Sequence, residues 1–326
     1  MKNKRLIIVF SAIGLLLLLI FSLSVGRYNV PISSILKMIL GENDSSTSLI
    51  VVNLRLPRTI AAILIGAALS TSGAAYQGLF QNPLVSPDIL GVSSGACVGA
   101  IISILLGLNK TWTMTLAFIM GIISVSSAII LSVITKQNKN IVLVFSGVII
   151  GRFMSSIVGI LIFYADDESQ LGAIMDWEMG SLAKVSGSEL VVFAPLLLIC
   201  IVLLFSLRWR INLLSVGEEE AKALGVNINR ERTLVIVLAT FATAISVCIA
   251  GTIAWIGLIV PHVCRWLIKD DNRYGIPLNI ILGGAALLVS DILARTLLPY
   301  ELPLEVITGL VGAPVFALIM VRRWKK

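Results

Sequence analysis

Charged residues are scarce in this chain. Only 13% of its 326 residues are Asp, Glu, Lys or Arg, about half the share usual in a soluble domain. With 57% apolar residues and a mean hydropathy of +1.00, a soluble fold is excluded. There is one histidine, His262, and the cysteines Cys97, Cys200, Cys248 and Cys264 stand singly inside apolar runs. Neither a His/Cys metal cluster nor a disulfide framework fits that spacing, and the cysteines read as small hydrophobes. No G-x-x-x-x-G-K-S/T loop and no H-E-x-x-H pair occurs. The chain therefore has no phosphate cradle and no zinc-hydrolase motif of its own. We expect no enzyme activity, no cofactor and no metal.

The sequence is instead rich in long apolar runs. A bilayer core of about 30 Å takes about 20 apolar residues per helix, and ten segments approach that length: 6–25, 59–79, 89–108, 112–134, 141–165, 190–207, 233–251, 252–268, 276–298 and 306–321. The first is too long for a signal-peptide core of about 7–15 residues and reads as an uncleaved helix. The eighth is interrupted by Pro261, His262 and Arg265 and follows Gly251 with almost no loop, so a short or broken helix is expected there, with His262 at a helix end. The fold class is thus an all-α polytopic membrane protein with about ten transmembrane helices, in one transmembrane domain spanning residues 1–326.

Ten crossings from a cytoplasmic N-terminus put 17 of the 25 lysines and arginines on the inner side, as the positive-inside rule requires. Both termini are expected to be cytoplasmic. The same bias accounts for the net charge of +7 without nucleic acid; membrane lipid is the expected surroundings.

Gly66-Ala-Ala-Leu-Ser-Thr-Ser-Gly73 and Gly91-Val-Ser-Ser-Gly95-Ala-Cys-Val-Gly99 place small residues at helical spacing, which lets helices approach closely. Gly73 precedes Pro83 by ten residues, and Gly251 precedes Pro261 by ten, a spacing echo that would suit two related broken segments on a transport path. Asp291, essentially the one intramembrane carboxylate, has Arg295 one turn away; a neutralised pair speaks against an ion-coupled carrier. Arg152 lies inside the fifth run, where a cation costs about 2.5–3.5 kcal/mol and must face a partner group or a wet cavity. Both roles stay open: an internal structural contact, or a pathway residue attracting an anionic chelate. Between the sixth and seventh runs, about 208–232, lies the largest cytoplasmic segment. Asn212 and Ser215 as caps, Glu218 to Glu220 in a first turn and Gly225 as a stop predict a short amphipathic helix there.

Several motifs carry a family resemblance. Arg55-Leu-Pro-Arg58, Gly66 to Gly73, Gln77 and Asn82-Pro-Leu-Val-Ser-Pro87, then Trp177-Glu-Met-Gly-Ser181, Gly251 to His262, Arg265, Asp291, Ala294-Arg295, Glu301-Leu-Pro303 and Gly312-Ala-Pro-Val-Phe316, resemble in order the membrane subunit of bacterial ABC importers for iron-siderophores, haem and cobalamin. The resemblance implies a type II importer in the bacterial cytoplasmic membrane: two ten-helix permease subunits, identical or paralogous, two cytoplasmic ATPase subunits and an external substrate-binding protein. It implies that the segment with Gly217, Glu218, Ala221, Leu224 and Gly225 is the coupling helix that meets the ATPase. It likewise assigns Asn82 and Leu84, with Gln137 and Asn138, to cytoplasmic gate regions. Arg55, Arg58 and Arg295 are implied to meet carboxylates of the binding protein, although for Arg295 neutralising Asp291 is an open alternative. Arg152 departs from the usual apolar fifth span. The expected function is uptake of a metal chelate, an iron(III)-siderophore first, with haem or cobalamin as alternatives within the family and a secondary transporter or channel as the alternative outside it.

Overall fold

The computed structural model describes residues 2–26, 28–40, 48–135, 139–165, 167–215, 221, 225 and 227–324. Among them all regular structure is helical. In chain order the helices are α1 (Lys2–Ser24), α2 (Ile32–Ile39), α3 (Leu56–Leu79), α4 (Val92–Leu105), α5 (Lys110–Ile134), α6 (Lys139–Ile162), α7 (Glu168–Glu178), α8 (Gly187–Ser206), α9 (Arg208–Leu214), α10 (Ile228–Ala250), α11 (Ile256–Ile268), α12 (Asn272–Thr296) and α13 (Leu304–Trp324). A π-helical turn, Ile50–Arg55, leads directly into α3. Among the described residues seven helices are long and apolar enough to cross a membrane: α1, α3 with its π-turn, α5, α6, α8, α10 and α12. Helices α4, α11 and α13 are apolar but shorter. Each of the ten apolar runs is thus helical over most of its length.

Local sequence explains where several helices begin. Asn109, Ser186, Asn227 and Asp271 accept hydrogen bonds from backbone N–H groups in the first turns of α5, α8, α10 and α12, which satisfies donors that a helix N-terminus leaves orphaned. At α8 the bond is reciprocal, Glu189 returning to the Ser186 backbone in a capping box. Of the short or broken helix expected here, α11 is the short one: it runs unbroken through Pro261, and His262 lies buried in its middle and not at a helix end.

Helix α3 is the centre of the bundle, packed against α12, α10, α11 and α8, while α4 packs on α5 and α6. Small residues set these distances. A Cβ on Gly66 would collide with the Gly283 carbonyl of α12, and one on Gly283 with the Gly66 carbonyl. Gly95 and Gly99 approach the backbone of α5 in the same way. Pro261 has no N–H for the Gly257 carbonyl four residues back, and Gly73 of α3 sits where any Cβ would strike that carbonyl. The ten-residue echo is therefore not a structural repeat: Gly73 lies in mid-helix, whereas Gly251 caps α10 at φ +70°. Helix α1 lies on the outside, against α12, with an apolar exposed face along its length.

Candidate functional site

Three features dominate the polar interior. The first joins the three arginines. Arg55, only 6% exposed, donates to the carbonyls of Leu23 at 2.6 Å and Ser24 at 2.9 Å, and to that of Tyr28. The Leu23 and Ser24 carbonyls close α1, so the guanidinium caps the helix at its negative end; Gly26 leaves it room. Arg295 donates to the Ser22 carbonyl at 2.8 Å and its hydroxyl at 2.7 Å. Arg58 donates from Nε to Asp291 Oδ1 at 2.7 Å and from Nη1 to Glu301 at 2.9 Å. The fully buried Asp291 thus has Arg58 as its close partner, with Arg295 Nε at 3.5 Å from the other oxygen. Outward-presented forks were expected at Arg55 and Arg58, and at Arg295 either such a fork or a pair with Asp291; Arg55 turns inward to the end of α1, and Arg295 lies beside Asp291 as in the second alternative. Arg58 is the one whose group reaches a half-exposed partner, Glu301.

The second feature is a knot of backbone around two glycines at positive φ, Gly180 (+71°) and Gly251 (+70°). Ser181 N–H donates to Ala250 at 2.8 Å, Leu304 N–H to Gly180 at 3.0 Å and Glu305 N–H to Met179 at 3.1 Å, and the Thr252 hydroxyl to the Glu178 carbonyl. A Cβ on either glycine would collide with a carbonyl of the other strand. The non-helical residues 251–255 and 80–91 both border a cavity of about 390 Å³, lined by Asp88, Glu178 and Glu305 together with Ser94, Thr252 and Trp255. Irregular backbone away from water is stable where it is buried in protein or lines such a cavity. Burial pushes the Asp88 carboxyl above its usual range, against hydrogen bonds from Ser93. Among the described residues no group of His, Cys, Asp and Glu is arranged to hold a metal ion. The cavity wall is mostly apolar, with these carboxylates and hydroxyls as polar points on it.

The third is the outer face of α6. Phe145, Ile149, Arg152, Ser156 and Gly159 share one exposed face, and the Ser156 hydroxyl bonds back to the Arg152 carbonyl at 3.0 Å. No partner for the Arg152 guanidinium occurs among the described residues. Of its two open roles, an internal contact is not what the structure holds.

The remaining expected residues fall as follows. Asn82 and Leu84 lie in the exposed part of the 80–91 segment, the Asn82 side chain accepting from Leu84 N–H at 2.9 Å in an Asx turn. Gly217, Glu218, Leu224, Gln137 and Asn138 lie outside the described residues. Ala221 is buried, and Gly225 is exposed at φ +77°, a conformation suited to a helix stop. Asn212 accepts from Asn272 N–H at 3.1 Å, and Ser215 donates to the Asn212 carbonyl at the end of α9; the first turn that they were expected to cap lies outside the described residues. Sequence reasoning missed Glu178, Glu301 and Glu305. Two of them stood inside quoted motifs, but only the folded chain shows that Glu178 and Glu305 border one cavity and that Glu301 pairs with Arg58.

The sequence and backbone both match known proteins over nearly their whole length. The chain is 38% identical over 323 residues to the hemin transport system permease protein HmuU of Yersinia pestis, covering 95% of each. It is 35% identical over 316 residues to the molybdate import system permease protein MolB of Haemophilus influenzae, covering 94% of each. Its backbone superposes with a TM-score of 0.90 on a metal-chelate type ABC transporter in an inward-facing conformation, 34% identical, covering 98% of this chain and 99% of that one. Residues 14–322 match the FecCD transport family, and with so complete an agreement the chain belongs to that family of ABC permeases.

Proposed function

We propose that this chain is the permease subunit of an ABC importer for an anionic metal chelate, an iron(III)-siderophore first. It crosses the bacterial cytoplasmic membrane ten times with both termini inside, pairs with a second permease copy or a paralogue, and is driven by two cytoplasmic ATPases. An external binding protein delivers the substrate; Arg58 is the arginine we assign to its docking, while Arg55 and Arg295 hold the helix ends in place. Residues 208–232, with Gly217 to Gly225, meet the ATPase, and the gate regions are those of Asn82 and Leu84 and of Gln137 and Asn138.

The observation that carries this reading is the α6 face. An arginine in mid-helix among Ser156 and Gly159, exposed on the single chain, is incompatible with lipid tails. A second subunit and an aqueous path between the two would cover it, and a cation lining that path favours an anion. The hemin and metal-chelate names borne by similar proteins point to the same substrate class.

Uptake into proteoliposomes containing the permease, its ATPases and binding protein tests the proposal. Arg152→Gln should lower ferric-catecholate uptake about tenfold, the effect of about 1.4 kcal/mol, with the complex still eluting intact from a sizing column. Unchanged uptake, or loss of the complex, would contradict the pathway role.

A further inference from the structure

At the end of the bundle where α1 and α12 begin and α9 lies, cations and aromatic rings cluster in a way that neither the transport pathway nor the fold requires. Lys4 of α1 and Arg273 of α12 share one carboxylate, Asp271, with Nζ at 3.4 Å from Oδ2 and Nε at 3.1 Å from Oδ1. Arg273 lies over the ring of Trp209, guanidinium carbon to centroid 5.0 Å, and Lys4 over Tyr274 at 5.4 Å. Trp209 is 49% exposed and the Arg273 side chain 53%. Arg273 uses only Nε on Asp271, so both Nη groups remain available for an anion. Arg5, exposed beside Lys4, adds a further cation, and one carboxylate cannot neutralise all three. The Arg273 bond and the Lys4 charge outweigh burial and hold Asp271 below the usual carboxylate range, which keeps it ionised as the scaffold that fixes both cations.

We propose that this cluster binds the phosphate headgroup of an anionic phospholipid. The occupant is argued from what adjoins the cluster. From Arg5 onward, α1 presents Leu6, Val9, Phe10, Ile13 and Leu17 to the outside, an apolar strip suited to acyl chains and continuous with the cationic end. Trp209 is placed as amphipathic rings are placed at the membrane–water interface. A forked guanidinium held by ring stacking suits phosphate oxygens. Basic clusters at helix ends on the cytoplasmic side attract anionic lipid by about 1 kcal/mol per cation, which is roughly fivefold in affinity.

The test titrates dioleoyl phosphatidylglycerol and dioleoyl phosphatidylcholine separately into the detergent-solubilised full chain and counts bound lipid by native mass spectrometry. Phosphatidylglycerol should bind at least tenfold more tightly, with the preference shrinking as salt is raised. Lys4→Gln with Arg273→Gln should cost about twenty-fold of that affinity, while Lys110→Gln, in an ion pair with Glu189 elsewhere on the chain, should leave it unchanged. Equal binding of the two lipids, a salt-independent preference, or full retention in the double variant would overturn the proposal. Competition by glycerol 3-phosphate as strong as by the lipid would identify a soluble phosphate instead and overturn the lipid assignment. The wild-type lipid preference and its salt dependence need no variant, so a double variant that failed to fold would still leave the question decided.

Discussion

Asp291 is the residue on which most buried charge converges, with Arg58 at 2.7 Å and Arg295 at 3.5 Å on its two oxygens. Removing one member of a buried ion group leaves the others uncompensated and costs about 3–5 kcal/mol. Asp291→Asn should therefore lower the thermal midpoint in detergent far more than Glu301→Gln, whose carboxylate is one-third exposed and screened by solvent. Equal losses would mean that the network's energy lies at the surface. At this scale the sequence was partly legible. It held the Asp291–Arg295 spacing, but the closer partner, Arg58, is 233 residues away, and no local pattern reveals such a contact. The same holds for Arg55, whose motif position suggested a surface role. Its acceptors are the last carbonyls of α1, and the π-turn before α3 brings it to them.

Helices were the most legible elements, because an apolar run long enough to span a bilayer admits little else. The small-residue stretches also meant what they suggested: α3 crosses α12 at Gly66 and Gly283, and α11 at Gly73 and Gly257. Less legible was the effect of Pro261, which suggested a break. The helix persists because the Gly257 carbonyl that loses its donor is packed against Gly73, where the chain needs no side chain. Overpacking at such a crossing costs typically 1–3 kcal/mol, so Gly66→Leu and Gly283→Leu should each lower the melting midpoint by several degrees. Gly159→Leu supplies the contrast: nothing lies within 4 Å of a Cβ there, and the isolated chain should melt as the wild type does. If it lost as much as the α3–α12 pair, close approach would not be the cause of either loss, since helix propensity favours Leu over Gly.

For the whole molecule, the resemblance of ordered motifs reached the family before any coordinate did, while the sides facing partners stayed hidden because a sequence does not say which apolar faces meet lipid. The proposed ATPase contact can be read at this scale. Leu224→Asp puts a charge on the apolar face expected to dock, and it should abolish co-purification of the ATPase and uptake together while leaving the melting midpoint of the isolated chain unchanged; normal co-purification would refute the assignment. The backbone knot at Gly180 and Gly251 bears on how the chain is made. It joins residues 179–181 to 250–252 and to 304–305, so the Met179 and Gly180 carbonyls wait for donors that the ribosome adds more than a hundred residues later. Loop closure over that distance precedes any reward from the contact. A nascent chain halted before residue 304 would hold the Met179 and Gly180 carbonyls without these partners, and the arrival of the last helix is the step that pairs them.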